Sequence, residues 1–187
     1  KDALFANTPG QDQSGRVNDY WYHNNSGKII HEPNVDWETA DWYQIPKQTK
    51  VETLVNPYPY PVNGKEVLLI SAVVPILLQG QFLGVVGVDY NQINLKEKVS
   101  QLKILDTGYS ALIANNGIYV SHPDATLVGK NVAEIRGETD LQVVQQGRKY
   151  TAISTSVIFK GAAYRLYTPI TVGRTKTPWS LAVTVPV

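Results

Sequence analysis

Residues 109–124, YSALIANNGIYVSHPD, restate an order already met at residues 20–33, YWYHNNSGKIIHEP, and that restatement decides the fold. Each stretch offers a strand, an Asn/Gly turn and a return strand that ends in a histidine close to a proline, His31 before Pro33 and His122 before Pro123. Asn and Gly at the turn accept the positive φ that a tight hairpin imposes, and both runs around them suit strands.

The repetition extends outward from the two hairpins. After the first, residues 36–49 carry acids early and lysine late, which predicts one or two short helices, one starting near Asp41. VETLVNPY (51–58), KEVLLISAVVPILL (65–78), a QGQ turn and FLGVVGVDY (82–90) then read as an antiparallel meander. After the second hairpin the same order returns: NVAEIRGETDLQVVQQG (131–147) as helix, then strands within KYTAISTSVIF, AAYRLYTPITV and WSLAVTVPV. Between the halves, NQINLKEKVSQLKIL (91–105) spaces Ile93, Leu95, Val99, Leu102 and Leu105 as a helix or linker would. Two modules, 1–101 and 102–187, account for the length better than one domain. The order resembles a PAS-like fold. Its class is α+β, with two tandem modules, each an antiparallel sheet of about five strands flanked by helices and loops, with a pocket beneath them.

Composition narrows the function. Seventeen Lys plus Arg against 16 Asp plus Glu create no field for nucleic acid or an anionic membrane. With no cysteine, disulfides and thiolate metal sites are excluded. The absence of methionine predicts a piece of a longer protein. The longest apolar run, residues 67–78, is interrupted by Ser71 and Pro75 and is too short to span a bilayer.

Catalytic patterns fail on geometry. Ser121 and His122 are adjacent on a strand and point to opposite faces, so with Asp124 they make no triad. His31 lacks the second histidine of a zinc-protease helix, and GVVGVD (84–89) continues a strand instead of opening a helix, so it is no dinucleotide fingerprint. No enzyme activity and no cofactor are expected.

Binding is the stronger reading. Trp21, Trp37, Trp42, Tyr20, Tyr22, Tyr43, Tyr58 and Tyr60 crowd one third of the chain, with Asp19, Asp36, Asp41 and the later Asp89 near them. Aromatic faces attract ammonium groups by about 0.5–2 kcal/mol each, and a carboxylate adds a charge-assisted bond. The rival reading, aromatics that cap the sheet and aspartates solvated at turns, stays open at this point. Strand parity sets Asp89 on the face of Val85 and Gly87, where glycine leaves room, and this favours the pocket.

GRVNDYWYHNNSGKI, DWYQIPKQT, NPYPYPVNGKEVLLISAVVPI, GQFLGVVGVD and GYSALIANNGIYVSHPDATLVGKN together resemble a double Cache (dCache) sensor domain, over nearly the whole chain. The resemblance implies an extracytoplasmic sensor of bacterial chemoreceptors, sensor kinases or cyclic-di-nucleotide enzymes, with the ligand in a membrane-distal first module. It also implies a long N-terminal helix that this sequence does not contain. In the amino-acid-binding version an arginine two residues before a Trp-Tyr pair holds the carboxylate. Here Trp42, Tyr43, Tyr58 and Asp89 match, and the arginine position is Ala40. The departure implies a small amine such as a polyamine or another organic cation: Asp89 pairs its charge, Tyr58, Tyr60, Trp42 and Tyr43 enclose it, and Asp19, Asp36 or Asp41 supplies a second acid. An acid that amine-binding relatives often carry two residues after the Pro-Tyr tyrosine is Tyr60 here, which weighs against a diamine in particular. The implied protein is anchored by flanking transmembrane helices, faces the periplasm or exterior, and is a candidate homodimer. The alternative implied is a kinase or cyclase sensor for an amino acid or small carboxylate.

Overall fold

Both hairpins form. β1 (Asp19–His23) pairs antiparallel with β2 (Ile29–Pro33), and β7 (Tyr109–Ile113) with β8 (Tyr119–Ser121). This is a computed structural model that describes every residue except Lys1, Asn7, Gly10, Val35, Asp36 and Lys103. In the first turn Asn24 Oδ1 accepts backbone N–H groups from Ser26 and Lys28, and Gly27 takes the positive φ of +77°. Those bonds let a short polar loop reverse the chain without orphaned amides.

The first sheet is built on β5 (Lys65–Leu78), which takes β4 (Tyr58–Val62) and then β3 (Thr53–Leu54) along one edge and β6 (Gln81–Asn91) along the other. The expected strand through residues 51–58 is broken into β3 and the start of β4 around Pro57. Pro75 sits inside β5 at no cost. The Ser71 carbonyl accepts from Val55, so that odd-numbered backbone edge faces β3, and β3 stops opposite Val73. The missing N–H of Pro75 therefore meets no partner strand.

The expectation of about five strands per module holds for the second sheet and not for the first. The β1–β2 hairpin is a separate two-stranded piece, not joined to the four-stranded sheet by strand pairing among the described residues. Its inward tyrosines engage the sheet through rings instead of through a strand edge. The second sheet has order β8-β7-β11-β10-β9, with β9 (Tyr150–Thr155), β10 (Ala162–Ile170) and β11 (Trp179–Pro186).

Helices cover these sheets, the first of them starting at Asp41 as the charge pattern predicted. α1 (Asp41–Thr49) packs on β5 and β6, α2 (Gln92–Ser100) leads from the first sheet to the second, and α3 (Val132–Arg136) and α4 (Glu138–Gln145) cover the second. The predicted single helix over 131–147 breaks at Gly137, whose φ of +98° no helix accommodates. One core lies under α3 and α4, with Ile113, Val143, Val144 and Tyr167 fully buried. A second joins the sheets: Ile70 of β5 and Val99 of α2 meet Leu112, Val120 and Trp179. No helix among the described residues is long and apolar enough to cross a membrane.

Candidate ligand-binding site

The site grows from one cross-strand pair. Ser71 on β5 stands directly opposite Asp89 on β6, so the two side chains share a face, and Ser71 Oγ donates to Asp89 Oδ1 at 2.6 Å. The Tyr58 hydroxyl lies 2.6 Å from Ser71 Oγ. Serine has one proton, already directed at Asp89, so Tyr58 is the donor and the three groups form a relay that ends on the carboxylate. The Tyr20 hydroxyl also lies beside Asp89 and favours its ionised form.

The rings close around this relay. Tyr20 is 5.4 Å from both Tyr22 and Tyr60, and Tyr60 is 6.3 Å from Tyr58, the last two edge to face. Such offset and edge contacts are the favourable arrangements for aromatic pairs. Tyr60 is held by donation to Asn34 Oδ1 at 3.2 Å. The Tyr22 hydroxyl lies near Glu32 of β2 and the Asn63 backbone in the β4–β5 turn.

Asp89 is open to solvent on one side while its carboxylate is crowded by protein. The crowding governs its protonation. Burial pushes the Asp89 carboxyl above the ordinary aspartate range, and the Ser71 and Tyr20 hydroxyls pull it part of the way back. Burial, followed by the charge of Asp89, pushes the Tyr20 hydroxyl far above the ordinary tyrosine range; for Tyr58 burial likewise dominates. Both tyrosines are therefore neutral donors at physiological pH. No cationic side chain among the described residues pairs with Asp89.

The remaining expected residues fall elsewhere. Trp37 and Trp42 both meet Tyr43 edge to face, at 4.8 and 6.1 Å, and Tyr43 meets Phe82 at 5.5 Å. This second aromatic group caps the β5–β6 hairpin end, and Lys47 Nζ and the Arg16 guanidinium lie over its rings at 5.4 and 5.2 Å. No ring contact joins it to the tyrosines among the described residues. Asp19 is not the second acid of the recess: its Oδ1 lies 2.9 Å from His31 Nε2. Parity is the reason, because Tyr20 and Tyr22 face inward and Asp19 and Trp21 must face out, where Trp21 stacks on His31 at 4.1 Å. Asp41 lies exposed in the first turn of α1 and lines a cleft of about 330 Å³ with Asn56, Asn115 and Lys176, apart from Asp89. Another cavity of about 290 Å³, lined by Val74, Val86 and Val172, also lies apart from the tyrosines. Asp89 lines neither of these two cavities. Asp36 lies outside the described residues.

Sequence reasoning missed Ser71, Asn34 and Phe82. Ser71 had left a signal as the one hydroxyl in an apolar strand, at the register where an antiparallel partner would bring Asp89.

A model of the Cache domain family, dCache_1, matches residues 4–187. The chain belongs to this family. The Cache chain is 30% identical over 152 residues to the methyl-accepting chemotaxis protein TlpQ of Pseudomonas aeruginosa, covering 72% of this chain and 21% of TlpQ. It therefore spans about a fifth of that relative's length. The extracellular domain of mmHK1S-Z3, assigned as a histidine kinase, superposes with a TM-score of 0.83 at 29% identity, over 100% of this chain and 67% of that one. The ligand-binding domain of the Pseudomonas aeruginosa amino acid chemoreceptor PctB, solved with L-Gln, shares the fold with a TM-score of 0.62 at 19% identity, over 88% of this chain and 66% of that one. The Cache architecture, with its α+β class and paired antiparallel sheets, is common to all of them. Its homologues are sensor domains of membrane chemoreceptors and kinases, and sensing, not catalysis, is the family's role.

Proposed function

We propose that this Cache chain is the ligand-binding part of a transmembrane receptor, a chemoreceptor in the first place, on the periplasmic or exterior side of a bacterial membrane. Residues 1–101 form its membrane-distal, ligand-binding module and residues 102–187 its proximal one. The ligand is a small amine or other organic cation, taken at Asp89.

One observation carries the reading. Asp89 is a carboxylate crowded on one side, with the Ser71 hydroxyl bonded to it, Tyr20 and Tyr58 beside it, Tyr60 against both of those rings, and no cation among the described residues. A carboxylate removed from water is costly until a positive group pairs with it, and tyrosine faces add to that attraction. An α-amino acid would need a second, positive group for its own carboxylate. Residue 40, where the family's amino-acid receptors carry arginine, is alanine and caps α1 with no side-chain bond. Lys47 and Arg16 lie over Tyr43 and Trp37, in the other aromatic group.

Titration calorimetry with a monoamine, a diamine, a quaternary ammonium salt and α-amino acids tests this. The expected result is saturable binding of an amine that Asp89→Asn weakens by about 10–100-fold, the range for loss of a charge-assisted contact. Absence of binding by every amine, or amine binding that survives Asp89→Asn unchanged, overturns it.

A further inference from the structure

We infer that the inner face of the second sheet holds a separate binding site for a small monocarboxylate, centred on Arg165. The proposal is independent of Asp89 and stands on the polar atoms of β10.

β10 directs Ala163, Arg165 and Tyr167 to the covered face, all of them buried. The Arg165 side chain is 7% exposed, and its Nη2 lies 2.9 Å from Asp140 Oδ2. The same oxygen accepts the Tyr167 hydroxyl at 3.0 Å. Nε and Nη1 of Arg165 are buried and find no acceptor among the described residues. Idle donors on a buried guanidinium are expensive, so an acceptor from outside the chain would gain more here than at a surface arginine.

The surroundings select the acceptor. Arg136, at the end of α3, donates to the Thr155 carbonyl at 2.7 Å and lies near the Tyr119 hydroxyl, which also feels the charge of Arg165, so a second positive charge is at hand. Two arginines against Asp140 leave one positive charge in surplus. His122 adds none: its Nδ1 accepts the Asp124 amide at 3.0 Å, and burial lowers its basicity. The Asp124 carboxylate does not compete, since it caps Thr126 at 2.9 Å. Around the charges stand rings, with His122 5.4 Å from Tyr109 and 5.3 Å from Tyr119, and Phe159 5.5 Å from Tyr109. Across the strands Arg165 is flanked by Thr184 and Ala152, both small side chains. One surplus charge, unused N–H donors and an aromatic surround fit a short monocarboxylate. A phosphate or dicarboxylate would bring a second negative charge with no partner.

Arginine side-chain NMR of the ¹⁵N-labelled chain tests this without perturbing the fold. Propionate should shift the Arg165 Nε–H resonance saturably, and chloride at equal ionic strength should not. Calorimetry should register the same propionate binding in the native chain and in Asp89→Asn, and none in Arg165→Gln. If Arg165→Gln does not fold, Ala152→Leu, which sets a larger side chain opposite Arg165 and leaves the Arg165 and Asp140 side chains in place, replaces it with the same expected loss. A shift that never saturates, one that chloride reproduces, or binding retained in the variant overturns the site and leaves those donors to water.

Discussion

Asp89 couples the sensor to pH through a sign that can be worked out. Its carboxyl is raised above the ordinary value because protein crowds it, so ionising it costs more in the folded than in the unfolded chain. Stability therefore falls as pH rises from the unfolded value through the raised folded one, and then levels. A bound ammonium reverses the balance by stabilising the ionised form. Amine affinity should accordingly be weak at acid pH, rise across the window just above the usual carboxylate range, and reach a plateau that lasts until the amine itself deprotonates near pH 10. Ser71→Ala removes a donor that lowers the Asp89 value, and should move the midpoint of that rise to higher pH. Calorimetry across the window measures both. An affinity flat in pH in the native chain, or a midpoint that Ser71→Ala moves downward, contradicts the assignment. Part of this residue-scale picture was legible in the sequence: Asp89 was read from strand parity, Tyr58 and Tyr60 from the crowding of aromatics, and Tyr58 and Asp89 again from the dCache resemblance. Asp19 was not, because its fate depends on which face of β1 turns inward, and only Tyr20 against Tyr60 decides that.

The two hairpins, alike as elements, differ in what surrounds their turns. Gly27 and Gly117 both hold positive φ, +77° and +88°. A Cβ at Gly27 would meet nothing within 4 Å, whereas at Gly117 it would overlap Leu141 Cδ1 and stand 2.9 Å from Asn131 Oδ1. Gly27→Ala should thus cost only backbone strain, about 1 kcal/mol. Gly117→Ala adds overpacking against α4 and should cost about 2–4 kcal/mol in all. Denaturant melts of the two variants measure the difference, and equal losses would refute the packing account. The contrast explains what sequence could and could not say about these elements. The repeated strand-turn-strand order located both hairpins, because Asn/Gly turns act locally. Whether a hairpin joins a sheet is decided by long-range contacts: β7 pairs with β11 from the far end of the chain, while β1–β2 meets its sheet through tyrosine rings. Pattern within a window carries neither fact.

At the scale of the molecule, the recess and the second sheet are joined by one contiguous set of bonds. Ser71, which holds Asp89 by its side chain, also accepts the Val55 amide at 2.8 Å through its backbone, and so fixes the segment that contains β3. The residue before β3 is Glu52, whose Oε1 takes Arg174 Nη2 at 2.6 Å and Nε at 2.8 Å, while Oε2 takes the Arg174 backbone amide at 2.6 Å. Arg174 lies in the β10–β11 connection, where Gly173 leaves no room for a Cβ beside Glu52 Oε2. Those bonds, the backbone one first, hold the Glu52 carboxyl below the ordinary range. Their contribution to stability is present above the unfolded glutamate value and is lost as pH falls through the depressed folded one. Glu52→Gln should therefore match the native chain at strongly acid pH and fall below it near neutrality. If the path also carries a signal, ligand at Asp89 should change hydrogen exchange in residues 171–178 of the native chain, and Glu52→Gln should abolish that change while leaving amine affinity intact. Spatial continuity alone does not establish coupling, and the paired measurement supplies what it lacks. A ligand-induced exchange change that persists in Glu52→Gln would place the route elsewhere, the α2 core between Ile70 and Leu112 being another bridge between the sheets.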